Sequence, residues 1–187
     1  MAYRNDTGLP SPSSVLRPWI DSTYFTDESR DRGQQVHAAC STDILGGFAT
    51  IDRQYRGYLD SFKRWCDQEK PKPVIHDGEP LIERRLISTH YGYCGQPDLP
   101  CYIASHLGIV VADLKTSAAL GRAWPLQIAA YRELVKGTTG QHVAHGASIR
   151  LREDGRMPLV EFYETFDTDL NTFFGCLNAW RHFNRGQ

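Results

Sequence analysis

Residues 108–117 read "GIVVADLKTS", an apolar run that finishes on an acid and a lysine two positions apart. Ile109, Val110, Val111 and Ala112 read as a buried central strand. Side chains two apart on a strand share a face, so Asp113 and Lys115 project together while Leu114 packs behind them. Desolvating an unpaired ion costs several kcal/mol. The strand therefore either ends in solvent with an incidental ion pair, or holds these two charges for a purpose.

Working outward, residues 74–117 carry apolar runs punctuated by Gly and Pro and predict successive strands. Upstream, a helix follows Asp27-Glu28-Ser29 and runs to the Gly46-Gly47 stop. A second helix spans roughly residues 50 to 69, with Ile51, Tyr55, Tyr58, Leu59, Phe62 and Trp65 at helical spacing. Downstream, "GRAWPLQIAAYRELVKG" predicts a helix stopped by Gly137. Its expected apolar stripe is Leu120, Trp124, Ile128, Tyr131 and Val135. Residues 141–152 and 157–163 predict a hairpin around "EDGRMP", and 167–184 a closing helix. Residues 1–18, rich in Pro, Ser and Gly, read as an extended arm, leaving 19–187 as one domain. The order α-α-β-β-β-α-β-β-α predicts an α/β or α+β domain built on one mixed sheet.

Composition narrows the function classes. The chain has 187 residues, 41% hydrophobic and 23% charged, with a formal net charge of −1. A nucleic-acid surface would therefore have to be local. No apolar stretch approaches the roughly 20 residues of a membrane helix, and the first residues lack a basic-then-apolar signal pattern, so a cytoplasmic protein with no membrane partner is expected. Five cysteines, Cys40, Cys66, Cys94, Cys101 and Cys176, include no C-x-x-C pair, which argues against a disulfide framework or a zinc finger.

Around Asp113 and Lys115 stand further candidates. Asp98, in "YCGQPDLP", lies on the strand expected beside 108–115. Two carboxylates meeting there would form a hard-oxygen site suited to Mg²⁺ or Mn²⁺, although Asp98 between two prolines also suits a plain turn. Gln127 and Tyr131, four apart, share a helix face. They either bond a loop carbonyl or aim at the same site. His37 has Gly33 one turn before it and Ser41 one turn after. A lone helix histidine is commonly structural, but these small neighbours permit close approach of another element. Glu83, in "PLIERRL", sits among alternating apolar residues on the first expected strand, where a surface glutamate is ordinary.

Taken in order, these residues resemble the RecB-like exonuclease branch of the PD-(D/E)XK nuclease superfamily. The resemblance runs from about Gly33 to Tyr131. It rests on Gly33-Gln34-Gln35-Val36-His37, Glu83, Gly95-Gln96-Pro97-Asp98, Asp113-Leu114-Lys115-Thr116 and Gln127-Ile128-Ala129-Ala130-Tyr131. No one segment is specific; all five in sequence are. The resemblance implies a restriction-endonuclease-like core and a Mg²⁺- or Mn²⁺-dependent deoxyribonuclease. It implies that His37, Asp98, Asp113 and the Leu114 carbonyl ligate metal and that Lys115 positions or activates the attacking water. Glu83, Gln127 and Tyr131 complete the catalytic set, the last two steadying the site or touching the DNA backbone. Iron–sulfur members of this branch carry one early cysteine and a late cluster of three, whereas only Cys176 follows Cys101 here, so no cluster is expected.

Phosphodiester hydrolysis needs an in-line water, neutralised phosphoryl charge and a stabilised leaving oxygen, and a divalent ion with a lysine ammonium suits all three. Arg84, Arg85 and Arg122 are the expected substrate-binding cations near the site, with Arg53, Arg56, Lys63 and Arg64 further out on a helix face that also carries Asp52, Asp60 and Asp67. Tyr91, Tyr93 and Trp124 can stack on bases, though Trp124 suits the core better. Standalone domains of this kind are often phage or mobile-element recombination and repair exonucleases. With no helicase motif, any unwinding would belong to a recombination or helicase partner. The expected substrate is linear DNA, single- or double-stranded. A structure- or site-specific endonuclease and a non-catalytic DNA-binding module of the same fold are the alternatives.

Overall fold

A computed structural model describes residues 8–20, 26–117 and 119–184. Its helices are α1 (Pro12–Leu16), α2 (Asp27–Ile44), α3 (Arg56–Glu69), α4 (Trp124–Thr139) and α5 (Phe166–Phe183). Its strands are β1 (Lys72–Pro73), β2 (Ile75–His76), β3 (Glu79–Pro80), β4 (Leu86–Ser88), β5 (Tyr93–Gly95), β6 (Leu99–Ile103), β7 (His106–Lys115), β8 (Val143–Arg150) and β9 (Leu159–Phe162). Five strands form one mixed sheet in the order β1-β6-β7-β8-β9, with β2–β3 and β4–β5 as separate two-stranded ribbons. β7 and β8 run parallel, so they need a crossover, and α4 supplies it. The remaining pairs of the main sheet are antiparallel.

The apolar run of β7 has a direct cause, because helices cover both faces of the sheet. Val110, Ala112 and Leu114 enter a core with Val36 and Ala39 of α2 and Leu59 and Phe62 of α3. Ile109 and Val111 enter a second core with Ala130 and Leu134 of α4 and Phe173 of α5. Each fully buried Val, Leu, Ile or Phe among these contributes about 1.5–3 kcal/mol. This is a mixed α/β domain whose central sheet is flanked by helices, as the element order predicts. Among the described residues no helix is long and apolar enough to cross a membrane.

Several local expectations need correction. Residues 12–18, expected in an extended arm, fall in α1 and in a 3₁₀ turn at Arg17–Trp19, and Val15 and Leu16 are fully buried in the α4–α5 core. Pro12 at the first turn and a Ser11 cap start α1, and burial of its apolar pair holds a helix too short to persist alone. Residues 1–7 lie outside the described residues. α3 begins only at Arg56, after a 3₁₀ turn at Arg53–Tyr55. Gly137 lies within α4; the stop is Gly140, whose φ of 68° is left-handed and whose N–H donates to the Lys136 carbonyl. Leu120 precedes α4 and is exposed, so it is no part of the stripe.

One glycine joins the two ends of the fold. A Cβ on Gly57 would stand 1.6 Å from the Glu153 carbonyl oxygen, in the β8–β9 connection. Gly57→Ala is therefore expected to destabilise by about 1–3 kcal/mol through overpacking, against the gain its helix propensity alone would give. A urea midpoint equal to or above wild type would show that this contact is not tight.

Candidate active site

β7 brings the site its backbone as well as its side chains. Leu114 points its side chain into the α2–α3 core, while its N–H donates to Asp98 Oδ2 at 2.7 Å. Its carbonyl lies 3.0 Å from His37 Nε2. Asp98 immediately precedes β6, whose Leu99 pairs with Ala112 of β7. The pairing of β6 with β7 therefore sets Asp98 beside Leu114. On α2, Val36, Ala39 and Cys40 face the sheet and leave His37 on the flank of that buried stripe, half-exposed.

Glu83 does not lie on a strand. It occupies a turn with φ of +50°, a left-handed conformation unusual for a residue with a side chain. Its N–H is shared between the carbonyls of Pro97 and Asp98 at 3.2 and 3.3 Å, which ties the turn to the Asp98 segment. Gln96 Nε2 donates to Glu83 Oε2 at 2.9 Å. His37 Nδ1 then stands 3.4 Å from both Glu83 Oε1 and Asp98 Oδ1. Strain persisting at a turn that is fixed this way is a recurrent feature of functional sites.

These three side chains form a group whose ligand atoms lie within 4.8 Å of one another. An ion with bonds near about 2.1 Å keeps its ligands up to about 4.2 Å apart, so a small contraction suffices. Two carboxylates and one imidazole are donors suited to Mn²⁺, and to Mg²⁺ where the oxygens dominate, whereas the Leu114 carbonyl, expected as a further ligand, faces the other ring nitrogen of His37. The residues present fit a divalent ion. Asp113, expected as a ligand by resemblance, stands outside that group. Its buried carboxylate pairs with Lys115 Nζ instead, and Glu83 takes the place beside His37 and Asp98.

Lys115 begins a second polar chain. Its ammonium pairs with Asp113 Oδ2 and donates to Gln127 Oε1 at 3.1 Å. Gln127 Nε2 in turn donates to Tyr131 Oη at 3.2 Å. The strand pair and the helix pair of the sequence thus become one connected series. Gly95 makes this possible, since a Cβ there would stand 2.8 Å from the Tyr131 ring. A cleft of about 710 Å³ opens beside His37 and Glu83 and the Tyr131 end of the second chain, with Gly33, Arg85 and Gln96 also in its wall.

Charge crowding shifts the titrating groups. Burial pushes the Asp98 carboxyl up, and the neighbouring Asp113 and Glu83 charges add to this while His37 opposes them, leaving it at about 6. Burial disfavours the charged His37 ring, but Asp98 and Glu83 outweigh it and hold its pKa well above the usual histidine range. Burial and the charges of Asp113 and Asp98 push the Tyr131 phenol up, so it stays protonated. Both Asp98 and His37 therefore bind protons more tightly folded than unfolded. Their contribution to stability is present in full at low pH and is lost as pH rises through about 6 and then through the His37 value. In EDTA, the melting temperature of wild type is expected to fall across that window more steeply than that of Asp98→Asn. Parallel profiles would refute the shift.

The other expected site residues are placed as follows. Arg84 donates to the His76 carbonyl at 3.0 Å and stands 3.8 Å from Glu79, so the β2–β3 ribbon holds it. Arg85 lines the cleft and contacts Cys94 Sγ at 3.0 Å. Arg122 is exposed just before α4. Arg56 pairs with Asp60, Lys63 with Asp43, and Arg64 donates to the Gly155 carbonyl, which partly neutralises the α3 face. Tyr93, considered for stacking, is fully buried and donates to the Ala130 carbonyl at 2.9 Å. Tyr91 packs against Phe174. The five cysteines are free thiols.

Sequence reasoning overlooked Gln96 as the partner of Glu83 and Trp124 as a neighbour of Lys115. Gln96 lay within the Gly95–Asp98 segment already singled out, and Trp124 one turn before Gln127. No family model matches this chain, and no curated protein is significantly similar to it in sequence.

Proposed function

We propose that this protein is a divalent-metal-dependent deoxyribonuclease that hydrolyses phosphodiester bonds from the ends of linear DNA. The observation that carries the reading is the convergence of His37, Glu83 and Asp98 beside the end of the strand that presents Asp113 and Lys115. The ordered resemblance to RecB-like nucleases supports the same chemistry and the preference for ends.

In this reading His37, Glu83 and Asp98 hold the ion, and the Leu114 carbonyl fixes the imidazole through its other ring nitrogen. When bound, a divalent ion supplies charge neutralisation and polarisation at the scissile phosphate. Lys115 places a compact positive charge at Nζ, fixed by Asp113 and by Gln127 Oε1, where negative charge grows in the transition state. Gln127 orients both Lys115 and Tyr131. The Tyr131 phenol, kept protonated, presents a donor at the cleft wall. The Asp113 carboxylate, almost fully buried, does not leave its lysine without a large desolvation penalty.

The test is cleavage of linear and covalently closed circular DNA with Mg²⁺, with Mn²⁺ and with EDTA. Loss of linear DNA alone, only with metal, is the expected result. Cleavage of both forms would assign an endonuclease, and cleavage of neither a DNA-binding module. Asp98→Ala is expected to weaken Mn²⁺ binding at least about tenfold by calorimetry, because it removes a ligand that nothing else replaces. Unchanged Mn²⁺ affinity would place the ion elsewhere.

A further inference from the structure

Lys115 has a third neighbour besides Asp113 and Gln127. Its Nζ stands over the Trp124 ring, 5.4 Å from the centroid, within the range of a cation–π contact. Trp124 opens α4 and is three residues before Gln127, so one helical turn supplies both groups to the ammonium. The indole is itself wedged. A Cβ on Gly121 would stand 2.2 Å from Trp124 Nε1 and 2.6 Å from Cδ1 and Cε2, so the ring lies directly against bare backbone. The Trp124 backbone N–H closes that turn onto the Gly121 carbonyl at 3.1 Å. Close contact with both Gly121 and Lys115 limits the ring's freedom, and the lysine side chain is only 16% exposed.

We infer that Trp124, seated on Gly121, is a positioning residue that fixes the Lys115 ammonium by its ring face. The inference rests on the proposed nuclease reading for its kinetic consequence, but the contact itself does not. An aliphatic side chain at 124 can fill space beside the lysine methylenes, yet it offers no negative ring face to the ammonium. A displaced ammonium lowers the rate of the chemical step more than substrate binding, since binding is spread over many phosphate contacts.

The test compares Trp124→Leu, Trp124→Phe and Gly121→Ala with wild type in Mn²⁺-dependent degradation of linear DNA. Trp124→Leu and Gly121→Ala are expected to lower kcat about tenfold or more with KM nearly unchanged, and Trp124→Phe to lose no more than about threefold. Equal losses for Phe and Leu, or a loss carried by KM, would overturn the inference. A second measurement needs no DNA. The Lys115 side-chain NMR resonances, assigned by their absence in Lys115→Ala, are expected to carry ring-current shifts in metal-free wild type and Trp124→Phe that vanish in Trp124→Leu. Lys115 resonances that do not respond to Trp124→Leu would overturn the inference whether or not DNA is cut. Wild type that cuts no DNA, but shows those shifts, would sink the nuclease reading and the kinetic role while leaving the contact standing.

Discussion

Lys115→Ala is expected to lower kcat for linear-DNA degradation by about 10²–10⁴-fold, the range typical of losing a positioned acid–base or charge-stabilising group. It is also expected to destabilise the metal-free protein by about 3 kcal/mol, and this second effect comes from the fold. Asp113 is only 2% exposed and its carboxylate is paired with Lys115. Removing one partner of a buried pair leaves the other charge without compensation, which costs more than the pair itself contributes. The two effects separate in the double variant Asp113→Asn with Lys115→Met, which replaces the pair by neutral groups. That protein should recover most of the lost stability and none of the cleavage. Mn²⁺ affinity should survive in Lys115→Ala, since Lys115 is not among the converging donors. Urea unfolding, calorimetry and the degradation assay on the same preparations read all three. A Lys115→Ala protein that degrades DNA near the wild-type rate would end the catalytic reading of the strand terminus. A double variant no more stable than Lys115→Ala would show that the ion pair is not what the single substitution broke.

Glu83→Gly and Glu83→Ala should both lose Mn²⁺ affinity and cleavage by about tenfold or more, because each removes the carboxylate facing His37. Their stabilities should nevertheless differ, and in the order opposite to that of an ordinary helix or strand position. Glu83 has φ of +50°, where a Cβ costs roughly 1–2 kcal/mol. Alanine keeps that penalty and glycine does not, although glycine gives back about 0.5–1 kcal/mol through a freer unfolded chain. Glu83→Gly is therefore expected to be the more stable of the two by about 1 kcal/mol. Thermal unfolding in EDTA ranks them, and an alanine variant at or above the glycine variant would show that the turn is unstrained. The comparison tests whether the fold spends stability to aim this carboxylate, independently of whether DNA is the substrate.

What a linear reading can see differs in kind from what packing decides. The buried strand was legible because continuous apolar character follows from two-sided burial, and the ends of β7, α2 and the β8–β9 hairpin carry their own punctuation. The sharing of a face by Asp113 and Lys115, and by Gln127 and Tyr131, follows from strand and helix periods alone. Local propensity fails where a tertiary contact outweighs it. Val15 and Leu16 fold a Pro- and Ser-rich segment into α1 because two buried side chains offset the cost of ordering it. Glu83 shows the same limit at the site. Alternation of apolar neighbours suggested a strand, but hydrogen bonds to residues 97 and 98 hold it in a left-handed turn.

By itself the sequence determined a mixed α/β domain around one buried strand, and named most of the side chains that the fold gathers at the candidate site. Periods and punctuation are local properties, and each residue carries them wherever the chain goes. Only the tertiary structure decided the partnerships: Glu83 grouped with His37 and Asp98, Lys115 enclosed by Asp113, Gln127 and Trp124. Those choices depend on which carboxylate is desolvated, which charge lies nearest and where a glycine lets two elements approach, and none of these exists until the sheet and its helices have packed.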